Sequence, residues 1–181
     1  MPPLSLAEVV QKTNSCQLCG LHKNGCYPID LPFHQVEPAP LVVFDYPVYT
    51  STINIRQDPR YRALHRELPF LDVFAATYAV SCRKPAGKPL PIISVQRCQK
   101  NRISEIETLQ PSFILCVGDT ACQSYMQMSV EVFGTIPRYH SSGARVFAIE
   151  ALKKEAYHLK KQTLETIYQE LQSLVVGVEF S

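Results

Sequence analysis

The chain has 181 residues, 46% of them hydrophobic and 19% charged, with a formal net charge of +2. That is enough apolar material for one sizeable core, so one domain is the expectation, and so mild a charge neither demands nor excludes nucleic acid, for which a local basic face matters more than the total. No apolar run is long enough for a transmembrane helix, and Met1-Pro2-Pro3-Leu4 lacks the basic start and apolar stretch of a signal peptide, which points to a soluble, intracellular, non-secreted protein. In a reducing compartment the seven cysteines are expected to be ligands or free thiols rather than a disulfide scaffold.

Residues 4–12 have helical spacing, with Leu6, Val9 and Val10 on one side after the cap candidate Ser5. The helix runs into Cys16 and Cys19, a C-x2-C pair. Residues 20–40, rich in Pro, Gly and His, read as an ordered loop packed around the cysteines. Residues 41–45 form a short apolar run of the kind a doubly covered parallel strand shows, ending at Asp45-Tyr46-Pro47. A helix over 59–68 and a strand over 71–81 follow. The strand ends in the segment Ser81-Cys82-Arg83-Lys84-Pro85, and a Pro/Gly-rich loop leads to a helix over 94–109, on which Val95, Cys98, Ile103, Ile106 and Leu109 are expected to line the buried stripe. A strand over 112–117, a helix over 120–128, a strand over 145–150 and a last helix over 151–175 complete the chain.

Strands alternating with helices imply a parallel sheet covered on both faces, whose ligands bind at the carboxyl ends of the strands. Four thiols, those of Cys16, Cys19, Cys82 and Cys98, are placed to meet at one metal centre, and four thiolates hold tetrahedral zinc as readily as an iron–sulfur cluster. Cys26 lies near enough to Cys19 to substitute for a ligand. Cys116 and Cys122 read as small buried hydrophobes.

The segments Cys16-Gln17-Leu18-Cys19-Gly20-Leu21, Ser81-Cys82-Arg83-Lys84-Pro85, Cys98 followed by Glu105-Ile106-Glu107-Thr108-Leu109-Gln110-Pro111, and Ile114-Leu115-Cys116-Val117-Gly118-Asp119-Thr120-Ala121 together resemble the family 4 uracil-DNA glycosylases, the iron–sulfur branch of that superfamily. The likeness extends from Cys16 to about Leu171. It implies a three-layer α/β/α sandwich with a four-stranded parallel sheet in a single domain, in which residues 1–40 carry the N-terminal helix and cluster-binding segment and residues 41–175 the α/β core. It also implies a 4Fe–4S cluster on Cys16, Cys19, Cys82 and Cys98, with zinc as the alternative.

The catalytic segments depart from that family. Where its first strand ends in Gly-Glu-x-Pro-Gly, this chain has Phe44-Asp45-Tyr46-Pro47-Val48, so Asp45 stands where the glutamate would position water, or else caps a turn. Where the family has Thr-Asn to read uracil, this chain has Thr77-Tyr78, and tyrosine lacks the paired donor and acceptor of an amide. The His-Pro motif after the last strand is replaced by Phe147-Ala148-Ile149-Glu150-Ala151-Leu152-Lys153, and the nearest histidine, His140, precedes that strand.

Nucleic-acid binding rests on other groups. Arg83, Lys84 and Lys88 beside the presumed centre, Lys100 and Arg102 after it, and Lys153 and Lys154 on the last helix are phosphate-contact candidates, while Tyr46, Tyr49, Tyr61 and Tyr78 offer stacking surfaces for unpaired bases. Surface charge and core packing are the ordinary readings of the same residues. Three functions are therefore open. The first is an iron–sulfur protein on a glycosylase scaffold that has lost uracil excision and acts as a nucleic-acid-binding or protein-interaction component of a replication, repair or other nucleoprotein complex. The second is an active DNA glycosylase on uracil or a modified base using Asp45. The third is a zinc-stabilised adaptor without a DNA role.

Overall fold

The computed structural model describes residues 4–32, 38–48, 54–127, 138–150, 165 and 167–169. The first helix, α1 (Leu6–Asn14), starts at Ser5, whose side chain accepts from the Glu8 amide while the Glu8 carboxylate accepts from the Ser5 amide. Its half-buried Leu6 and Val10 pack against the core face that includes Ile106. The second helix, α2 (Pro59–Glu67), is begun by Asp58, with Pro59 at its first position. A third helix, α3 (Ile92–Leu109), ends where Gln110 adopts a left-handed φ of 43° ahead of Pro111.

Four strands run parallel: β1 (Leu41–Phe44), β2 (Ala75–Tyr78), β3 (Phe113–Val117) and β5 (Arg145–Ile149). The edge strand β4 (Arg138–Tyr139) pairs antiparallel with β5, giving the order β2-β1-β3-β5-β4. A fourth helix, α4 (Asp119–Met126), follows β3 directly. The expected parallel four-stranded sheet is present. Strand β2 is shorter than the expected 71–81 because Pro69–Val73 forms a 3-10 turn instead.

Because every residue of β1, β2 and β3 is buried, side chains alternate between two covered faces. Val42, Phe44, Tyr78, Phe113, Leu115 and Phe147 point to the face covered by Tyr61 and Leu64 of α2, Leu71, Val73 and Ile167. Val43, Ile114, Cys116, Val146 and Ala148 point to the face covered by Ile106 of α3 and Ala121, Cys122 and Tyr125 of α4. This is a three-layer α/β/α arrangement. Cys116 and Cys122 are core residues, each with no exposed surface. No described helix is long and apolar enough to cross a membrane.

The register sets the site. Phe44 pairs with Tyr78 on one side and Val117 on the other, and Val117 pairs with Ile149, so the carboxyl ends of all four parallel strands finish level. The last helix expected over 151–175 lies outside the described residues apart from 165 and 167–169, which are helical.

Candidate functional site

At one corner of the strand ends, the loops around the cysteines converge. Cys16 and Cys19 follow the end of α1, the 3-10 turn Gly20–Asn24 reverses the chain, and Gly25, with φ of 92°, turns it into an antiparallel bridge between Cys26 and Cys82. The backbone bonds on either side of that bridge run from the Tyr27 amide to the Ser81 carbonyl (2.9 Å) and from the Arg83 amide to the Gly25 carbonyl (3.1 Å). Helix α3 brings Cys98. Cys19, Cys82 and Cys98 are buried in one cluster with Leu21 and Val80, and half-buried Cys26, Tyr46, Leu90 and Val95 pack against it.

Burial pushes the Cys98 thiol up to about 11. The Arg102 guanidinium and the Ser81 backbone hydrogen bond oppose that rise, while neighbouring Cys19 and Cys16 add to it. The expectation that the cysteines are ligands or free thiols is corrected at Cys82, read from sequence as a metal ligand: its sulfur is bonded to that of Cys26, because the bridge sets the two residues face to face. No group of three or more His, Cys, Asp or Glu side chains among the described residues is disposed to hold a metal ion. Cys19, Cys82 and Cys98, drawn from two loops and a helix and buried in one largely apolar cluster, are by side-chain chemistry the kind of donors a thiolate-bound centre uses.

A buried polar clamp holds the corner in place. The Arg102 guanidinium donates to Thr77 Oγ1, to the Tyr78 carbonyl at 2.6 Å and to Ser81 Oγ at 2.7 Å, and it pairs with Glu105 at 2.7 Å. Arg102 is thus not the phosphate-contact candidate expected from sequence; it lies at 1% exposure and ties the exit of β2, just before Cys82, to α3. The buried stripe of α3 differs accordingly. It carries Ser94, Cys98, Asn101, Arg102, Glu105 and Ile106, while Ile103 faces solvent. Burial pushes the Glu105 carboxyl up to about 7 against the opposing Arg102 charge and the Thr77 hydrogen bond.

Beside the corner, aromatic rings fill the hollow at the ends of β1 and β2. Phe44 and Tyr78 have no exposed surface, and their ring centroids stand 6.5 Å apart. Tyr78 donates its hydroxyl to the buried Asp58 carboxylate (2.9 Å), and burial first, then that carboxylate, holds the phenol far above its ordinary pKa. Arg60 completes the plug. It lies over both rings at 5.6 and 5.9 Å, pairs with Asp58 at 2.6 Å and donates to the Tyr46 carbonyl at 2.7 Å. Tyr78 is therefore corrected from a base-stacking candidate to a core residue. The same holds for Tyr61, at 3% exposure, whose hydroxyl donates to the Leu71 carbonyl.

Asp45 faces α4. Its carboxylate accepts from the Ala121 amide (2.9 Å), supplying in trans the helix cap that Gly118 has no side chain to provide. Gly118 is required here, since its φ is 104° and a Cβ would run into the Asp45 carboxylate. Burial raises the Asp45 pKa, opposed by the Ala121 amide, Arg60 and the Thr120 amide. His140 is no partner for it: its Nδ1 lies 3.0 Å from Ser142 Oγ in the turn before β5, at the amino ends of the strands.

The basic loop lies over the cysteine corner. Arg83 donates to the Tyr27 hydroxyl and stacks on that ring at 5.5 Å, while Lys84 lies 5.6 Å from the Tyr46 ring centre and donates to the Lys88 carbonyl. Lys88 is exposed, and Tyr46 is half-buried. Lys153, Lys154 and Tyr49 lie outside the described residues. Asp58, Arg60 and Glu105 carry no functional signal in the sequence beyond Asp58-Pro59, which marks a helix start.

Fold and site together define an α/β/α sandwich with a thiol-rich corner and a filled strand-end hollow. No protein-family model matches the chain, and no curated protein sequence does either.

Proposed function

We propose that this chain is an iron–sulfur protein on a uracil-DNA glycosylase-like scaffold that has given up base excision and binds nucleic acid through the loop covering its cysteine corner. The observation that carries the reading is the gathering of Cys19, Cys82 and Cys98 in one buried cluster, with Arg83 and Lys84 following Cys82 directly and Lys84 lying over Tyr46, which packs against that cluster. Cys16, Cys19, Cys82 and Cys98 would hold the cluster, which supplies a cross-link between N-terminal segment, loop and helix. Loss of excision is supported by the filled hollow. A flipped base needs a pocket, and Phe44, Tyr78 and Arg60 occupy the one beside Asp45.

The test uses full-length protein purified without oxygen. Iron and sulfide in comparable amounts, with a broad visible absorbance, are expected; zinc with a featureless spectrum would replace the cluster by the adaptor reading. Binding to single- and double-stranded DNA is expected to weaken with salt, and a double variant, Lys84→Glu with Lys88→Glu, is expected to lower the log–log salt slope by roughly one per lysine. No abasic sites are expected in uracil-containing DNA. Their appearance would return Asp45 to candidacy.

A further inference from the structure

Cys26 packs against the cluster of Cys19, Cys82 and Cys98, and with Cys16 three positions before Cys19 that is one cysteine more than a four-thiolate cluster uses. Building on the cluster reading above, we propose that Cys26 is an exchange thiol that withdraws Cys82 from the metal centre. In the reduced form Cys16, Cys19, Cys82 and Cys98 are available to the cluster; in the oxidised form Cys82 is held in the Cys26–Cys82 disulfide and the centre cannot be loaded.

The proximity of the two sulfurs comes from the backbone. The bonds from the Tyr27 amide to Ser81 and from the Arg83 amide to Gly25 flank Cys26 and Cys82, making them a directly opposed, non-hydrogen-bonded antiparallel pair. That arrangement brings side chains closest together, and the two Cα atoms stand 4.2 Å apart. Reducing the bond therefore leaves the thiols side by side. Arg83, packed on Tyr27, anchors the strand segments beyond both cysteines.

Burial sets the order of events. Cys82 is 2% exposed, whereas Cys26 is half-buried at the rim of the cluster, so a small oxidant meets Cys26 first. With a low-molecular-weight disulfide RSSR as oxidant, the Cys26 thiolate attacks one sulfur, the RS–SR bond breaks and RS⁻ leaves. Cys82 then attacks the Cys26 sulfur of the mixed disulfide and releases the second RS⁻. Two cysteine thiols are oxidised by two electrons, RSSR is reduced, and the two protons finish on two RSH. Excess dithiol reverses the sequence. Cys19 and Cys98 lie in the same buried cluster as Cys82, so the exchange removes one of the proposed ligands.

The experiment compares full-length wild type, Cys26→Ser and Cys82→Ser, each stripped of metal, incubated with or without glutathione disulfide, and then offered iron and sulfide anaerobically. Thiols are mapped by alkylation and mass spectrometry; loading is read from bound iron and visible absorbance. Wild type is expected to load when reduced. After oxidation it should yield a linked Cys26–Cys82 peptide and lose loading until a dithiol is added. Cys26→Ser should load with or without the oxidant, because the remaining Cys82 is shielded, and Cys82→Ser should load in neither case. Alkylated Cys26 in oxidised wild type overturns the inference, as does a Cys26→Ser protein that fails to load, which would make Cys26 a ligand. Both results leave the cluster reading standing. Reduced wild type that takes up no iron defeats that reading, and this inference with it.

Discussion

The cysteine corner and the aromatic plug lie side by side at the ends of β1 and β2, yet they are held by opposite means. In the plug every conspicuous group has a packing or hydrogen-bonding role. Tyr78 donates to Asp58, Asp58 caps α2 and pairs with Arg60, and Arg60 lies over the Phe44 and Tyr78 rings while donating to the Tyr46 carbonyl. Folding alone accounts for it. In the corner, thiols fill the space that aliphatic side chains would fill with more apolar area, and the strength of the region comes from the backbone bridge at Cys26 and Cys82 and from the Arg102 clamp beneath it. The corner gathers thiols where aliphatic side chains would pack as well, whereas the neighbouring strand ends are filled by groups whose partners are structural.

The largest expected effect lies under the corner. Arg102→Ala removes the counter-charge of the buried Glu105 and the donor to Thr77, Ser81 and the Tyr78 carbonyl, and urea denaturation at neutral pH is expected to show a loss of about 3–5 kcal/mol. The pH dependence gives a second readout. Glu105 has a folded pKa raised to about 7, so its neutral form is favoured by folding; the associated stability is complete below about 4.5 and is lost as pH rises through about 7. Arg102→Ala should therefore become more damaging as pH rises, and Glu105→Gln should flatten the profile. His140, whose pKa is lowered by burial, changes stability in the opposite sense, falling as pH falls, so the difference between wild type and Glu105→Gln isolates the Glu105 contribution.

Next in size is the plug. Tyr78→Phe keeps the ring against Phe44 and Tyr27 but removes the hydroxyl that donates to Asp58, at an expected cost of about 1.5–3 kcal/mol, the range for hydrogen bonds to charged groups. Chemical denaturation and the melting temperature should agree on the loss. A change too small to resolve would mean that Arg60 alone satisfies Asp58, and that the plug rests on its rings.

What could be read from the chain divides along the same line. The sheet was legible because Leu41-Val42-Val43-Phe44 and Phe113-Ile114-Leu115-Cys116-Val117 are continuous apolar runs, which only a doubly covered strand can bury throughout. Of the four cysteines singled out by spacing, Cys19, Cys82 and Cys98 lie in one buried cluster. The inner face of α3 was not: apolar periodicity favoured Ile103, but the partners that satisfy Arg102 come from Thr77, Tyr78 and Ser81, more than twenty positions earlier. The pairing of Cys26 with Cys82 was hidden for a similar reason, since an isolated bridge between two loops, separated by 56 residues, leaves no local period. Tyr78 gave a signal that pointed outward only while its partner, Asp58, was unknown.

The smallest expected effect tests whether Asp45 belongs with the plug or keeps a chemical role. As a cap, Asp45 needs an acceptor oxygen toward the Ala121 amide, and a neutral amide oxygen can accept that hydrogen bond. Asp45→Ala leaves the first turn of α4 uncapped and should lose about 1 kcal/mol, while Asp45→Asn should recover most of the difference. A carboxylate that activates water follows a different rule: asparagine would abolish its chemistry as completely as alanine does. The two variants measured side by side, for stability and for release of base from DNA, therefore separate the roles. Asparagine rescue of stability with no excision in any of the three proteins, wild type included, places Asp45 with the packing of the strand ends; excision in wild type alone would mean that the carboxylate still works beside a hollow whose space its neighbours have taken.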